Sequence, residues 1–231
     1  MLHGFNIAVV GTMCSFAGME FRLATREDDE ITEGLTRESF WNRYQPGADE
    51  HYLLHKIRQS SDHIPELAYV AEVDNQIVAC IVYTKASIVD SSGNSHPILN
   101  FGPVGVLPEF QGRGVGSGLI KYTLKIAAEL GYRGVVIYGD PRYYGRLGFR
   151  CAERYEITNR SGQYAICLLA YALQPNAFDN LSGYFQESHS FENFFDGFED
   201  YEKQFPEKEK FVTDSQREFD VLSSLVYKKE E

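Results

Sequence analysis

Residues 106–132, VLPEFQGRGVGSGLIKYTLKIAAELGY, set Gly112, Gly114, Gly116 and Gly118 within seven positions, directly ahead of a helix-forming run. Amides at a helix start lack intrahelical partners and converge on one spot, where the helix dipole also favours negative charge. Glycine lets such a turn wrap closely round a ligand because no Cβ intervenes. The stretch therefore predicts a nest for an anionic group. Two well-known nests do not fit. A dinucleotide fingerprint starting at Gly112 or Gly114 meets Ser117 or Leu119 where its last glycine belongs, and a P-loop fails because Tyr122 follows Lys121. The helix is read with Val115, Leu119, Tyr122, Ile126 and Leu130 on its apolar face and Gly131 as its stop.

Outward from this turn the pattern alternates. Upstream, LAYVAEV and QIVACIVYTKASIV read as a hairpin, followed by the strand HPILNFGPVGVL, which Gly102-Pro103 interrupts because proline removes a ladder donor. Helical spacing covers 31–41 and 50–60, and Thr25 with Asp28 and Asp29 marks a capped start. Downstream, GVVIYG is a short strand, DPRYYGRLG one or two helical turns, and YAICLLAYAL, residues 164–173, one long last strand. Strands mostly in sequence with helices laid across them indicate an α+β, mixed α/β fold.

The 231 residues, 43% hydrophobic, suffice for one domain with an appendage, and we assign it to 19–173. Residues 1–18 carry an apolar run with no Lys or Arg before it, too short to span a bilayer; they are read as a non-native or disordered lead, with Met19 as the alternative start. A net charge of −11 argues against nucleic acid as a partner and favours cations. No membrane partner is expected. Four scattered cysteines, with no metal-ligand spacing, predict a reducing cytoplasm, buried thiols and no metal site. The extension 174–231 is acidic and rich in aromatics: from 176 onward it holds 14 acidic and 6 basic side chains with twelve aromatics. Such aromatics predict an extension ordered against the core or a partner.

Gln111-Gly112-Arg113-Gly114-Val115-Gly116 matches a Q-x-x-G-x-G/A signature between strand and helix, and GDPRYYGRLGF, residues 139–149, matches a second one a helix and a strand later. In both, the chain resembles the GNAT superfamily of acetyl-CoA-dependent N-acetyltransferases, specifically over 98–150. The resemblance implies a mixed, mostly antiparallel sheet with a splayed strand pair, flanked by helices. It implies acetyl transfer from acetyl-CoA to the amine of a small molecule by direct attack in a ternary complex, without a metal. Val104, Gly105 and Val106 would run beside the pantetheine arm and polarise the thioester carbonyl. Gln111, Gly112, Arg113, Gly114, Val115, Gly116 and Ser117 would form the pyrophosphate nest. Tyr144, with Tyr143 as the alternative, would stand at the leaving sulfur.

The resemblance breaks at the base. Asn100 occupies the strand position where some members carry a glutamate, and an amide cannot take a proton. Glu72, His96, Glu38, a water relay or no dedicated base are the alternatives. Phe40, Trp41 and Tyr44 are expected on the acceptor side. The extension fits a substrate-covering flap, a homodimer contact or a plain appendage. A CoA-binding module without turnover, and an interaction protein working through its tail, are the competing functions.

Overall fold

The computed structural model describes residues 18–192 and 194–228, so the expected lead over 1–18 lies, apart from Gly18, outside the described residues. Strand β1 (Met19–Leu23) runs into a capped turn in which Asp28 accepts the Thr25 amide at 2.7 Å and the Arg22 guanidinium at 2.7 Å. Helices α1 (Asp29–Phe40) and α2 (Glu50–Arg58) follow, then β2 (Tyr69–Val73), β3 (Gln76–Val89) and β4 (Ser95–Val106). Asp74 and Asn75, with φ of 50° and 64°, give the β2–β3 hairpin the left-handed turn that matches strand twist. Next come α3 (Val115–Glu129), β5 (Gly134–Tyr138), α4 (Pro141–Tyr144), β6 (Arg150–Cys151), β7 (Ile157–Thr158), β8 (Gln163–Ala165) and β9 (Leu168–Ala172). The extension adds β10 (Gly183–Gln186), α5 (Phe198–Glu202), α6 (Asp214–Ser224) and β11 (Val226–Lys228).

The main sheet runs β1-β2-β3-β4-β5-β9-β6, with β10 and β7 continuing from β3 off that path. Pairing is antiparallel except at β4–β5 and β7–β10. One face, carrying Ile81, Tyr83, Leu99, Phe101, Val135 and Ile137, packs on Leu119, Ile120 and Leu124 of α3. On the other face, α1 and α2 cover Cys80 and Val82, while Phe178, Leu181 and Phe185 cover Ile88, Ile98 and Val136. The sheet is thus buried on both sides.

Three expectations are corrected. In α3, Val115 and Leu119 are buried and Tyr122 and Ile126 pack half-buried on the core as expected, but Ile120, Thr123, Leu124 and Ala127 are buried as well and Leu130 is 52% exposed. Thr123 hides this face from an apolar pattern, because its hydroxyl is satisfied inside the core by Tyr83 Oη at 2.9 Å. The single strand over 164–173 is two strands: β9 pairs with β5, whereas β8 pairs with β11, so the chain turns between them. The extension lies against the core, with β10 paired to β3 inside the main sheet. Cys151 is exposed, whereas Cys80 is buried.

Further clamps tie the extension down. Glu202 of α5 binds buried Arg37 at 2.6 Å and His51 at 2.8 Å, and Tyr201 donates to Glu33 at 2.6 Å.

Candidate functional site

The site is a gap in the sheet. Strands β4 and β5 pair only at Leu99 and Val135, and beyond that point they part. The Leu107 amide donates to the Val78 carbonyl at 2.9 Å, and alternation from there makes Cys80 and Gly105 the next bonded pair. The backbone groups of Val104 and Val106 therefore point the other way, into the gap. The Val106 carbonyl is already occupied, accepting from Ser39 Oγ at 2.8 Å and Gln111 Nε2 at 2.9 Å. What faces the gap as donors are the amides of Val104 and Val106. Gly105 lies against α1, where a Cβ would come within 2.8 Å of Leu35 Cδ2.

At the mouth of the gap stands the start of α3. The first amide taken by the helix is that of Gly118, bonded to the Gly114 carbonyl at 2.8 Å. The amides of Gly112 to Ser117 precede it, and the turn is folded by left-handed Gly112 and Gly114, with φ of 72° and 86°. Ser117 Oγ is turned back onto the Gly114 carbonyl at 2.9 Å, and the Arg113 guanidinium lies 5.7 Å from the Phe110 ring centre. Of the nest residues named from sequence, the backbone of 112–117 can hold an anion, with Val115 buried. The Gln111 side chain instead ties the turn to β4. Gly116 sits close to the strand: a Cβ there would lie 3.1 Å from Val106 Cγ2 and 3.3 Å from Tyr143 Oη.

Tyr144 closes the inner end. Asp140 caps α4 by accepting the Arg142 amide at 2.8 Å, and Pro141 takes the first helical position. The Tyr144 ring packs on Phe101, Phe149 and Tyr143, with centroids 6.0, 5.4 and 5.0 Å away, and its remaining side rests on Gly139, where a Cβ would collide with it. Burial pushes the phenol well above its ordinary pKa, and the Tyr44, Tyr143 and Tyr83 phenols add to that.

Of the aromatics expected on the acceptor side, Tyr44 faces this region, its ring tilted against Phe40 and against Phe219 of α6 with centroids 5.8 and 4.6 Å away. Trp41 does not line it freely. Its indole N–H donates to the Glu209 carbonyl at 2.9 Å, and Arg37 lies over its ring at 4.2 Å. Helix α6 spans the mouth: Ser215 bonds the Arg43 carbonyl at 2.8 Å, and Glu218 meets Arg142 of α4 at 3.3 Å.

The three base candidates are held in ion pairs: Glu72 with Arg22 at 2.6 Å, His96 with Asp90 at 2.9 Å, and Glu38 with Lys208 at 2.6 Å. Two other carboxyls stand out. Burial raises Glu50, at the start of α2, to about 8, aided by Asp49 and opposed by Arg43. Burial likewise raises Glu187 to about 7, opposed by a hydrogen bond from Asn100. Sequence reading missed both. No sequence signal connects Glu187 to Asn100, 87 positions earlier, because only the pairing of β10 with β3 joins them. Among the described residues, no group of three or more His, Cys, Asp or Glu is arranged to hold a metal, and no helix is long and apolar enough to cross a membrane.

Residues 65–151 match the family model described as an acetyltransferase (GNAT) domain. The chain is 28% identical over 142 residues to the uncharacterized N-acetyltransferase YhbS of Escherichia coli K12, covering 62% of this chain and 83% of that protein. The crystal structure of YhbS in complex with CoA superposes with a TM-score of 0.68 at 22% identity, covering 79% of this chain and 96% of that one, a likeness of fold. A GNAT acetyltransferase from Brucella melitensis in complex with acetyl-CoA gives 0.60 at 26% identity, covering 75% and 98%.

Proposed function

This chain carries a GNAT acetyltransferase domain, and on that premise we propose that it transfers the acetyl group of acetyl-CoA to the amine of a small cationic acceptor by direct attack in a ternary complex. The observation that carries the reading is the continuity between the unpaired amides of Val104 and Val106 and the amide run of Gly112 to Ser117. Together they fit a long donor with a carbonyl at one end and a pyrophosphate further out, and acetyl-CoA supplies the acetyl group as an activated thioester.

Each group then has a task. The 112–117 amides receive the pyrophosphate without needing a basic side chain. The Val104 and Val106 amides take the negative charge that builds on the carbonyl oxygen. Tyr144 offers its hydroxyl hydrogen to the departing sulfur. Tyr44 and the covering α6 bound the acceptor's entrance, and an extension holding eight more acidic than basic charges beyond residue 175 concentrates cations there.

The test is release of CoA thiol from acetyl-CoA against a panel of amines. A diamine or amino sugar should exceed an anionic amine of similar size about tenfold in kcat/KM at low ionic strength, and the margin should shrink in high salt. Preference for the anionic amine would overturn the acceptor class. Thermal stabilisation by acetyl-CoA with no release for any amine would favour a binding module without turnover.

A further inference from the structure

We propose that Glu187, brought onto Asn100 by the strand that the extension adds to the sheet, is the general base that accepts the acceptor amine's proton. The proposal rests on the acetyl-transfer reading above and adds the residue the resemblance leaves missing. Its geometry is set by a strand register and one hydrogen bond. The register of β10 on β3 places Gln186 opposite Ser87, so that Glu187 leaves the strand at the sheet's surface. Asn100 Nδ2 donates to Glu187 Oε1 at 3.3 Å, and among the described residues the second oxygen has no hydrogen-bond partner. Thr84, opposite Asn100 across β3–β4, buries a hydroxyl with no hydrogen-bond partner among the described residues.

Leu99 and Phe101 point to α3, so Asn100 points to the opposite face of the sheet, the one covered by α1, α2 and the extension. The groups facing Glu187 are few: Asn100 from β4, Tyr138 from β5, and Glu192 within the extension, itself bound to Arg160 at 2.5 Å and His189 at 3.4 Å. Among the described residues, no cation pairs with Glu187. A carboxyl buried in this way, with one amide donor, sits at about 7, high enough to take a proton near neutrality and low enough to pass it on.

Asn100 precedes Val104 by four residues, about 13 Å of extended strand, so the proton reaches Glu187 through water in the cleft. The ammonium loses one proton by that route. The neutral nitrogen then bonds to the acetyl carbon as the carbon–sulfur bond breaks. The second nitrogen proton is released while the sulfur gains one, giving an amide, the CoA thiol and one proton that Glu187 returns to solvent.

The experiment uses the full chain and an amine that turns over, recording kcat/KM from pH 5.5 to 9 together with thermal stabilisation by acetyl-CoA. Wild type should rise with pH and level off above about 7. Glu187→Gln should lose roughly 100-fold or more and lose the break, while stabilisation by acetyl-CoA persists. Asn100→Ala removes the donor that favours the charged carboxylate, so its break should move to higher pH; this shift decides the matter if Glu187→Gln does not fold. A Glu187→Gln profile within threefold of wild type with the break in place, an unmoved break in Asn100→Ala, or loss of the break in Glu50→Gln would each overturn the assignment. Absence of CoA release by wild type with every amine overturns the reaction itself, and the base with it.

Discussion

Tyr144 is legible in the sequence as the first residue of Y-x-x-x-G-F, but its chemistry is set by neighbours the motif does not name. The aromatic rings of Phe101, Phe149 and Tyr143 enclose it, and burial holds its phenol well above the ordinary value. A thiol ionises near 8.5. The phenol is therefore the weaker acid, and the role proposed for it is a hydrogen bond to the departing sulfur more than a complete proton transfer. Tyr144→Phe should then lower kcat by about 100-fold, the lower end of the acid-catalysis range, with unchanged stabilisation by acetyl-CoA. Gly139 supplies the floor under this ring, so Gly139→Ala should displace the hydroxyl and lower kcat to a similar degree. Because both act through one hydroxyl, the double variant should be no worse than Tyr144→Phe alone. Multiplying losses would show that Gly139 acts elsewhere.

The elements that make the site are a strand that parts from its neighbour and a helix that begins at the parting. Both were legible because local chemistry specifies them: glycines at positive φ, a proline in the strand, a cap before α4. Gly114, at φ 86°, is a position where any side chain is strained by roughly 1–2 kcal/mol, and its amide belongs to the proposed anion nest. Gly114→Ala should cost that strain and keep most of the acetyl-CoA affinity, whereas Gly114→Asp should add a negative charge and abolish it. Isothermal titration of the two variants separates the effects; equal affinities would remove the nest from the mechanism. Less of α3 and of the last strand was legible. The buried Thr123 hydroxyl is satisfied by Tyr83, and β8 finds its partner β11 more than fifty residues later, so neither leaves a local pattern. The same distance in sequence concealed Glu187.

Across the whole molecule, the extension is part of the main sheet and core, and buried carboxyls, one on α2 and one in the extension, link stability to pH. Glu50 sits at about 8 and Glu187 at about 7, both raised by burial, against a model-peptide value near 4.3 for an unfolded chain. In that window the folded protein holds protons that the unfolded chain has released. Stability from these groups is therefore fully present below about 4.3 and is lost as pH rises through 7 and 8. His51 works in the opposite direction, since burial lowers its pKa despite Glu202, and its contribution is lost as pH falls through the histidine range. Asp28, held at about 2 by its hydrogen bonds from Arg22, loses its contribution as pH falls from the ordinary carboxylate range through about 2. A wild-type melting curve mixes these terms, but a substitution isolates one. Glutamine at either site keeps the shape and hydrogen-bonding capacity while removing the buried charge. Glu187→Gln and Glu50→Gln should thus melt above wild type at pH 9, and that advantage should vanish at pH 5, where wild type is already protonated. A melting difference that is the same at both pH values would mean that neither carboxyl is raised, and would withdraw the acid–base poise on which proton acceptance by Glu187 depends.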